Sequence, residues 1–242
     1  MRVAEHISRK ELKQDKIKET IEHGAEAVIS HGQLAGIVIA VALAVGVGYF
    51  AWRFYIDRQT GQASSAFEIA MNAYGGRIGV ASPGADPSEP FYPDEKGRAQ
   101  DAFNKFMGVA NSYPSTNPGK LARYYAALCL EDLDRQNQAL EELKKLSGGK
   151  DKELSATAQF QTAIIDERTG KADDAVKLLR ALADKPSTMV PRSLVLLELA
   201  GVLRSSNPKE ATTIYQHIKA EFPDTPLAEQ ADRGLDAISP QS

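Results

Sequence analysis

The chain shows two patterns of apolar residues, an uninterrupted run near the N-terminus and a helical periodicity over most of the remainder. Residues 32–52 read GQLAGIVIAVALAVGVGYFAW and contain no charged side chain in 21 positions. An α-helix of that length spans about 30 Å, the thickness of the hydrocarbon core of a bilayer. Tyr49, Trp52 and Tyr55 lie at its C-terminal end, and aromatic rings favour the lipid headgroup region. The pattern predicts a transmembrane helix over residues 32–55.

The apolar run differs from a cleaved signal peptide and from a lipoprotein signal. The 31 residues before it carry six basic and six acidic side chains, and no small-x-small cleavage site occurs among the aromatic residues at its end. Lipid attachment would need a cysteine directly after the run, but the one cysteine, Cys129, lies far downstream. We therefore expect an uncleaved anchor. The charged tail before it, residues 1–31, is either a partly amphipathic helix or a solvated segment.

Basic residues around the run predict its orientation. Six Lys or Arg precede it, and three occur in an equal length of chain after it. Positive residues favour the cytoplasmic side of a bacterial inner membrane, so we expect a cytoplasmic N-terminus and a periplasmic downstream domain.

Small residues recur every four positions within the run, which would allow a second membrane helix to pack closely and form a homo-oligomer. These residues are Gly36, Ala40, Ala44 and Gly48. Glycine and alanine are common in membrane helices generally, so the spacing is also compatible with no helix contact.

Residues 56–96 hold a helix and then an abrupt change of composition. Residues 58–74 have apolar positions in helical phase, so we predict the first helix of the downstream domain there. Glycine and proline then dominate residues 75–92, which predicts a loop without helix or strand. The overlapping P-x-x-P pairs at Pro87, Pro90 and Pro93 fit either an extended ligand for a partner or a simple insertion between helices.

From residue 97 onward the chain repeats a pattern of small-x3-large-x2-aliphatic. The alanines that begin the pattern are Ala102, Ala139, Ala175 and Ala211, which are 37, 36 and 36 residues apart. In the first and last copies a proline follows five residues after the aliphatic position, at Pro114 and Pro223. A small residue lets the second helix of a hairpin pack closely on the first, and proline ends the helix. A period in this range predicts stacked helical hairpins.

The helices around these anchors complete the predicted stack. An apolar helical stretch precedes each of the last three of these alanines. The three stretches are residues 121–133, 156–165 and 194–203. Gly170 lies where a first helix should end, and residues 226–238 form a last amphipathic helix that would cap the stack. We predict an all-α fold in which the span is followed by a solenoid of about four hairpins and a capping helix, with the first hairpin split by the Gly/Pro-rich loop. The repeat domain covers residues 97–238, and a short C-terminal tail covers residues 239–242.

The second helices resemble those of the tetratricopeptide repeat (TPR) family. The segments that carry the resemblance are AFNKFMGVANSYP, QALEELKKL, GKADDAVKLLRAL and EATTIYQHIKAEFPDTPLAEQA. The first helices match less well, because Leu130 and Asp166 stand where the repeat places an aromatic residue, and the period exceeds the usual 34. The layout of tail, span and repeats is similar to bitopic bacterial TPR proteins typified by the ancillary subunit of the Sec translocon. That resemblance implies a scaffold that links the translocation channel to periplasmic chaperones or client polypeptides.

First helices of such a stack are expected to line its inner face, where an extended peptide or a partner helix can bind. The candidate protein-binding positions are Leu121, Tyr124, Leu128, Thr157, Phe160 and Ile164. Some of these side chains could instead fill the core between hairpins. If exposed, Tyr124 and Phe160 would be the best candidates for partner contact.

Catalytic, cofactor and metal motifs are not apparent in the sequence. Three of the four histidines precede the apolar run and share no metal-ligand spacing, and His217 lies on a predicted second helix without an obvious catalytic partner. The acidic pairs are expected on solvated helix faces or turns: Glu131/Asp132, Glu141/Glu142, Asp166/Glu167 and Asp173/Asp174. The net charge of −3 does not indicate a nucleic-acid surface.

Other functions remain open from the sequence. The same architecture would suit envelope assembly or cell-division coordination. An inverted topology would make the protein a receptor with cytosolic repeats. An enzyme would need a polar pocket with perturbed titrating groups, which no spacing in the chain predicts.

Overall fold

The computed structural model describes residues 32–80 and 89–238. The expectations for the tail at residues 1–31, its histidines and residues 239–242 lie outside the described residues, as does Pro87. The chain divides into two compact units between Arg58 and Gln59.

The first unit contains the apolar part of helix α1, Gly32–Tyr74. This helix is long and apolar enough to cross a membrane, and no residue of its most apolar window is buried inside the protein. We predicted a span at residues 32–55 and a separate helix from residue 58, whereas α1 is one helix. No proline lies between them, and an Arg53–Asp57 ion pair (3.7 Å) one turn apart supports the helix at this point.

The second unit is a stack of helical hairpins. Its helices are the C-terminal part of α1, followed by α2 Glu95–Ser112, α3 Asn117–Asp132, α4 Gln136–Ser147, α5 Lys152–Arg168, α6 Ala172–Asp184, α7 Arg192–Ser206, α8 Pro208–Glu221 and α9 Pro226–Asp236. Residues 59–74 pair with α2, and the pairs α3–α4, α5–α6 and α7–α8 follow. Helix α9 packs against α8 and α7. The predicted all-α fold of four hairpins and a capping helix is confirmed.

The Gly/Pro-rich segment contains two short strands, one near each end. The prediction of a loop without strands was therefore wrong for these residues. Strand β1, Arg77–Ile78, pairs in parallel with strand β2, Phe91–Tyr92. The Arg77 amide donates to the Pro90 carbonyl (3.0 Å), and the Gly79 amide donates to the Tyr92 carbonyl (2.8 Å). A Cβ atom at Gly76 would lie 2.5 Å from the Tyr92 ring. Glycine here permits close approach of the second strand, which composition alone does not reveal.

The residues of the repeated small-x3-large-x2-aliphatic pattern form the core of the second unit. All twelve small, large and aliphatic positions of the four copies are buried, with at most 7% of any of them exposed. They are Ala102, Phe106, Val109, Ala139, Leu143, Leu146, Ala175, Leu179, Leu182, Ala211, Tyr215 and Ile218. The spacing therefore identified the face of each second helix that packs on its neighbours.

The buried residues form three clusters along the stack. The N-terminal cluster joins α1, α2 and α3 around Phe106, the central cluster joins α3, α4 and α5 around Leu143, and the C-terminal cluster joins α5 to α9 around Leu179. Each cluster links consecutive helices only, as expected when each hairpin buries its apolar surface against its neighbours.

Two kinds of turn recur in the stack. Within hairpins, a residue with positive φ reverses the chain: Gly170 (φ 82°), as predicted, and Asp134 (φ 59°). Between hairpins, Thr116 and Thr225 occupy the N-cap positions of α3 and α9 after a Tyr-Pro or Phe-Pro pair. Their hydroxyls accept hydrogen bonds from the Gly119 (3.1 Å) and Ala228 (3.3 Å) amides, which fixes the start of the next helix.

Candidate protein-binding surface

The six candidate positions for partner binding lie on α3 and α5. Leu121 has 40% of its surface exposed, and the other five side chains are half-buried. The Thr157 hydroxyl donates to the Glu153 carbonyl (2.9 Å) within its own helix. Leu121 is therefore the most accessible apolar side chain of the set.

Tyr124 and Phe160, the best candidates for partner contact if exposed, are half-buried. Tyr124 packs against the central cluster, and Phe160 packs against the C-terminal cluster. The ring of Tyr124 also meets that of Tyr125 edge-on at 5.8 Å between centroids. Each ring therefore contributes on one side to the core.

A line of polar contacts joins the same faces of α3 and α5. The Gln161 amide of α5 donates to the Glu131 carboxylate of α3 (2.7 Å), and the Arg168 guanidinium lies 3.5 Å from that carboxylate. Helical spacing from Tyr124 and Leu128 leads directly to Glu131, one turn further along α3. We refer to the surface formed by the six candidates, Glu131, Gln161, Arg168 and Glu198 of α7 as the first-helix face.

Burial perturbs the acidic groups of the first-helix face. It raises the pKa of Glu131 above its usual range, although Gln161 and Arg168 favour the charged form. Burial and the nearby Glu167 raise the pKa of Glu198, and Arg168 opposes them. Burial and the charge of Glu131 raise the pKa of Tyr124 to about 12. The face thus presents half-buried carboxylates beside aromatic and aliphatic side chains.

Several acidic residues that we expected on solvated surfaces are instead enclosed. The side chains of Glu131, Glu142 and Asp166 are only 11–13% exposed. Glu142 of α4 pairs with Arg123 of α3 at 2.5 Å and with Lys145 at 2.6 Å. Asp166 lies 3.6 Å from the ammonium of Lys171 across the α5–α6 turn. The expected solvated position was wrong for these three side chains, because each finds a cation on a neighbouring element. The remaining members of the four acidic pairs are exposed, as expected: Asp132, Glu141, Glu167, Asp173 and Asp174.

His217 and Cys129, the two isolated reactive side chains of the second unit, both lie in structural environments. His217 Nε2 lies 3.2 Å from the Glu221 carboxylate on the same helix, and both side chains are about half exposed. Cys129 is buried in the N-terminal cluster, where burial and the charge of Asp132 raise its pKa to about 12. The described residues contain no group of three or more His, Cys, Asp and Glu side chains placed to hold a metal ion.

The small-residue positions of the apolar helix all face outward. Gly36, Ala40, Ala44 and Gly48 are exposed, and a Cβ atom at Gly36 or Gly48 would meet no atom within 4 Å.

The stacked hairpins and their repeated turns define a helical-repeat protein. The chain belongs to the tetratricopeptide repeat-like domain family, whose model matches residues 29–189. The match includes the apolar part of α1 as well as the first three hairpins, and it ends before α7.

Solved structures support the same fold. The chain is similar to the crystal structure of the nearly identical TPR-like repeats of a Podosopora anserina putative kinesin light chain. The similarity covers 74% of this chain and 86% of that chain, with 15% sequence identity and a TM-score of 0.53. The crystal structure of a single-substitution variant of these repeats gives 15% identity and a TM-score of 0.56, with 74% of this chain and 85% of that chain covered. At this identity the likeness shows the fold alone. No curated protein matches the chain.

The family assignment bears on the kind of function. TPR-like domains are typically non-catalytic scaffolds that bind other proteins, so a protein partner is the general expectation for this chain.

Proposed function

We propose that the protein is a membrane-anchored scaffold whose repeat domain binds protein partners in the periplasm, at the Sec translocon and its chaperones or clients. The observation that carries the anchoring is the apolar part of α1, where large side chains such as Ile37, Leu43 and Phe50 are 59–72% exposed. Burying each such side chain is worth roughly 1.5–3 kcal/mol, so an aqueous environment for all of them is strongly unfavourable.

The membrane anchor determines where the repeat domain acts. A helix in the bilayer confines the repeats to the membrane surface and raises their effective concentration near membrane machinery. The excess of basic residues before the span supports a cytoplasmic N-terminus. The link to the translocon rests on the resemblance in layout to bitopic TPR proteins of that system.

The first test is topology. A reporter enzyme that is active only in the periplasm is fused after Ser242, and its activity is measured in intact cells. We expect activity, and extraction of the fusion from membranes only with detergent. An inactive reporter would favour the inverted receptor, and a freely soluble chain would contradict the anchor.

The second test is the partner. The full chain is cross-linked in native membranes and isolated, and the translocation channel is quantified in the product. We expect Leu121→Glu on the first-helix face to lower channel recovery by about tenfold, because a charge at an interface core is costly.

Ile69→Glu is the matched control. Ile69 is 58% exposed and lies beside Tyr92 and Asp101, outside the first-helix face. Equal losses in the two variants would argue against the first-helix face as the binding surface. Recovery of cell-wall or outer-membrane factors in place of the channel would favour envelope assembly or division.

A further inference from the structure

Two depressions lie on either side of the connection between α4 and α5. The smaller, about 140 Å³, is lined by residues of α3, α4 and the start of α5, and the larger, about 850 Å³, lies between α5 and the end of α6. Gly149 lines both, so they adjoin. We call them together the basic groove. No position of the first-helix face lines it.

Positive charge dominates the groove. Its cations are Lys120, Arg123, Lys145, Lys150, Lys152 and Lys185, against three lining carboxylates. This excess contrasts with the whole chain, whose net charge is −3.

Two of the three carboxylates at the groove are occupied by other contacts. Asp151 accepts a hydrogen bond from the Leu154 amide (3.1 Å) as the N-cap of α5. Glu153 accepts from the Thr188 (3.3 Å) and Met189 (2.8 Å) amides and holds the α6–α7 connection in place. The third carboxylate, Asp184, makes no ion pair with any described residue.

The cations divide into paired and available groups. Arg123 and Lys145 bind Glu142 beside the smaller depression. The other four have no ion-pair partner among residues 32–80 and 89–238. These four are Lys120, Lys150, Lys152 and Lys185.

The walls of the groove add apolar surface that a flat membrane could not reach. Leu146 and Leu182 are only 7% and 4% exposed, and Ala156 is 8% exposed, so they lie at the base of the depressions. An inserted aliphatic side chain can contact such recessed atoms, whereas a lipid headgroup layer meets the projecting lysines. The larger depression is also of the size at which ligand clefts occur.

We propose that the basic groove binds an acidic polypeptide segment that carries aliphatic side chains between its carboxylates. The carboxylates pair with the four available lysines, and an aliphatic side chain enters the larger depression. The groove is a second interaction surface, separate from the first-helix face, so a partner could engage both at once.

The test uses the full chain in nanodiscs of phosphatidylcholine and a fluorescent peptide of alternating glutamate and leucine, with binding followed by fluorescence anisotropy. Lys152→Glu/Lys185→Glu should weaken binding by about tenfold, since attraction becomes repulsion at two sites. Both lysines are exposed. Glutamate suits the helix dipole in the first turn of α5 and opposes it at the C-cap of α6, so the two effects offset each other and folding should be preserved. Circular dichroism checks that folding is preserved. Lys150→Glu/Lys185→Glu is a second variant that tests the same groove.

Lys177→Glu/Lys209→Glu is the matched control, because it changes net charge equally at exposed positions of α6 and α8 outside the groove. We expect the control to bind within about twofold of the parent, and a lysine–leucine peptide not to bind. Equal weakening in both double variants would overturn the proposal. It would also be overturned if the parent bound anionic vesicles through these lysines but not the peptide. Neither result depends on channel recovery or on Leu121→Glu.

Discussion

At the residue scale, close packing assigns roles to glycines that no motif identifies. A Cβ atom at Gly234 of α9 would lie 2.3 Å from the Tyr215 ring, so the capping helix fits against α8 only without a side chain there. Gly201 of α7 approaches the hydroxyl of the same tyrosine, but a Cβ atom there would be 3.9 Å away. These two glycines look alike in sequence and differ only in the space around them.

We expect Gly234→Ala to lower the free energy of unfolding by about 1–2 kcal/mol, because overpacking the ring costs more than alanine gains in helix propensity. Gly201→Ala should instead raise it by about 0.5–1 kcal/mol, since contact at 3.9 Å is ordinary. Urea unfolding followed by circular dichroism measures both. Stabilisation by Gly234→Ala would show that α9 does not pack on Tyr215 as described.

At the element scale, enclosed ion pairs connect helices that the apolar pattern brings together. The Arg123–Glu142 pair joins α3 to α4, with both side chains about 15% exposed or less. Burial alone would raise the pKa of Glu142, but hydrogen bonds from Lys145 and Arg123 outweigh it and lower that pKa below its usual range. The pair therefore favours the folded state whenever Glu142 is charged.

Glu142→Gln should lower the free energy of unfolding by about 2 kcal/mol at pH 7, because it leaves Arg123 enclosed without its counter-charge. A lowered folded-state pKa contributes stability above the unfolded value, about 4.3, that is lost as the pH falls through the folded value. The difference between variant and parent should thus shrink as the pH falls below about 4. Glu141→Gln, at an exposed neighbour, should change stability by less than about 0.5 kcal/mol. A difference that stays constant with pH would contradict the assignment.

At the scale of the whole molecule, the second unit has three clusters in series, each linking consecutive helices. In such a stack stability is the sum of hairpin and nearest-neighbour contributions. A destabilising substitution should therefore weaken the helices next to it more than distant ones. Leu143 and Leu179 are equivalent repeat positions, both fully buried, in the central and C-terminal clusters. They allow this locality to be tested with one and the same substitution.

Leu179→Ala should lower stability by about 3 kcal/mol and speed amide exchange first in α6, α7 and α8. Leu143→Ala should have a similar cost but speed exchange first in α3 and α4. Hydrogen-exchange mass spectrometry of the full chain distinguishes the two patterns. Identical, uniform loss of protection from α2 to α9 in both variants would show that the unit unfolds as a single cooperative body.

The sequence by itself determined the apolar helix, the hairpin repeat and the buried face of each second helix. These follow from local rules: a 21-residue uncharged run, and a spacing of small and large residues that repeats along the chain. Ala102, Phe106 and Val109 could be placed in the core because helical phase alone puts them on one side.

Only the tertiary structure decided which first-helix side chains remain accessible, which carboxylates are enclosed, where β1 and β2 pair and which lysines converge on one groove. Each of these depends on residues far apart in the chain, such as Glu131 with Gln161 or Gly76 with Tyr92. Periodicity reports the neighbours within one helix, whereas pairing and burial of charge are set by the helix that packs across from it.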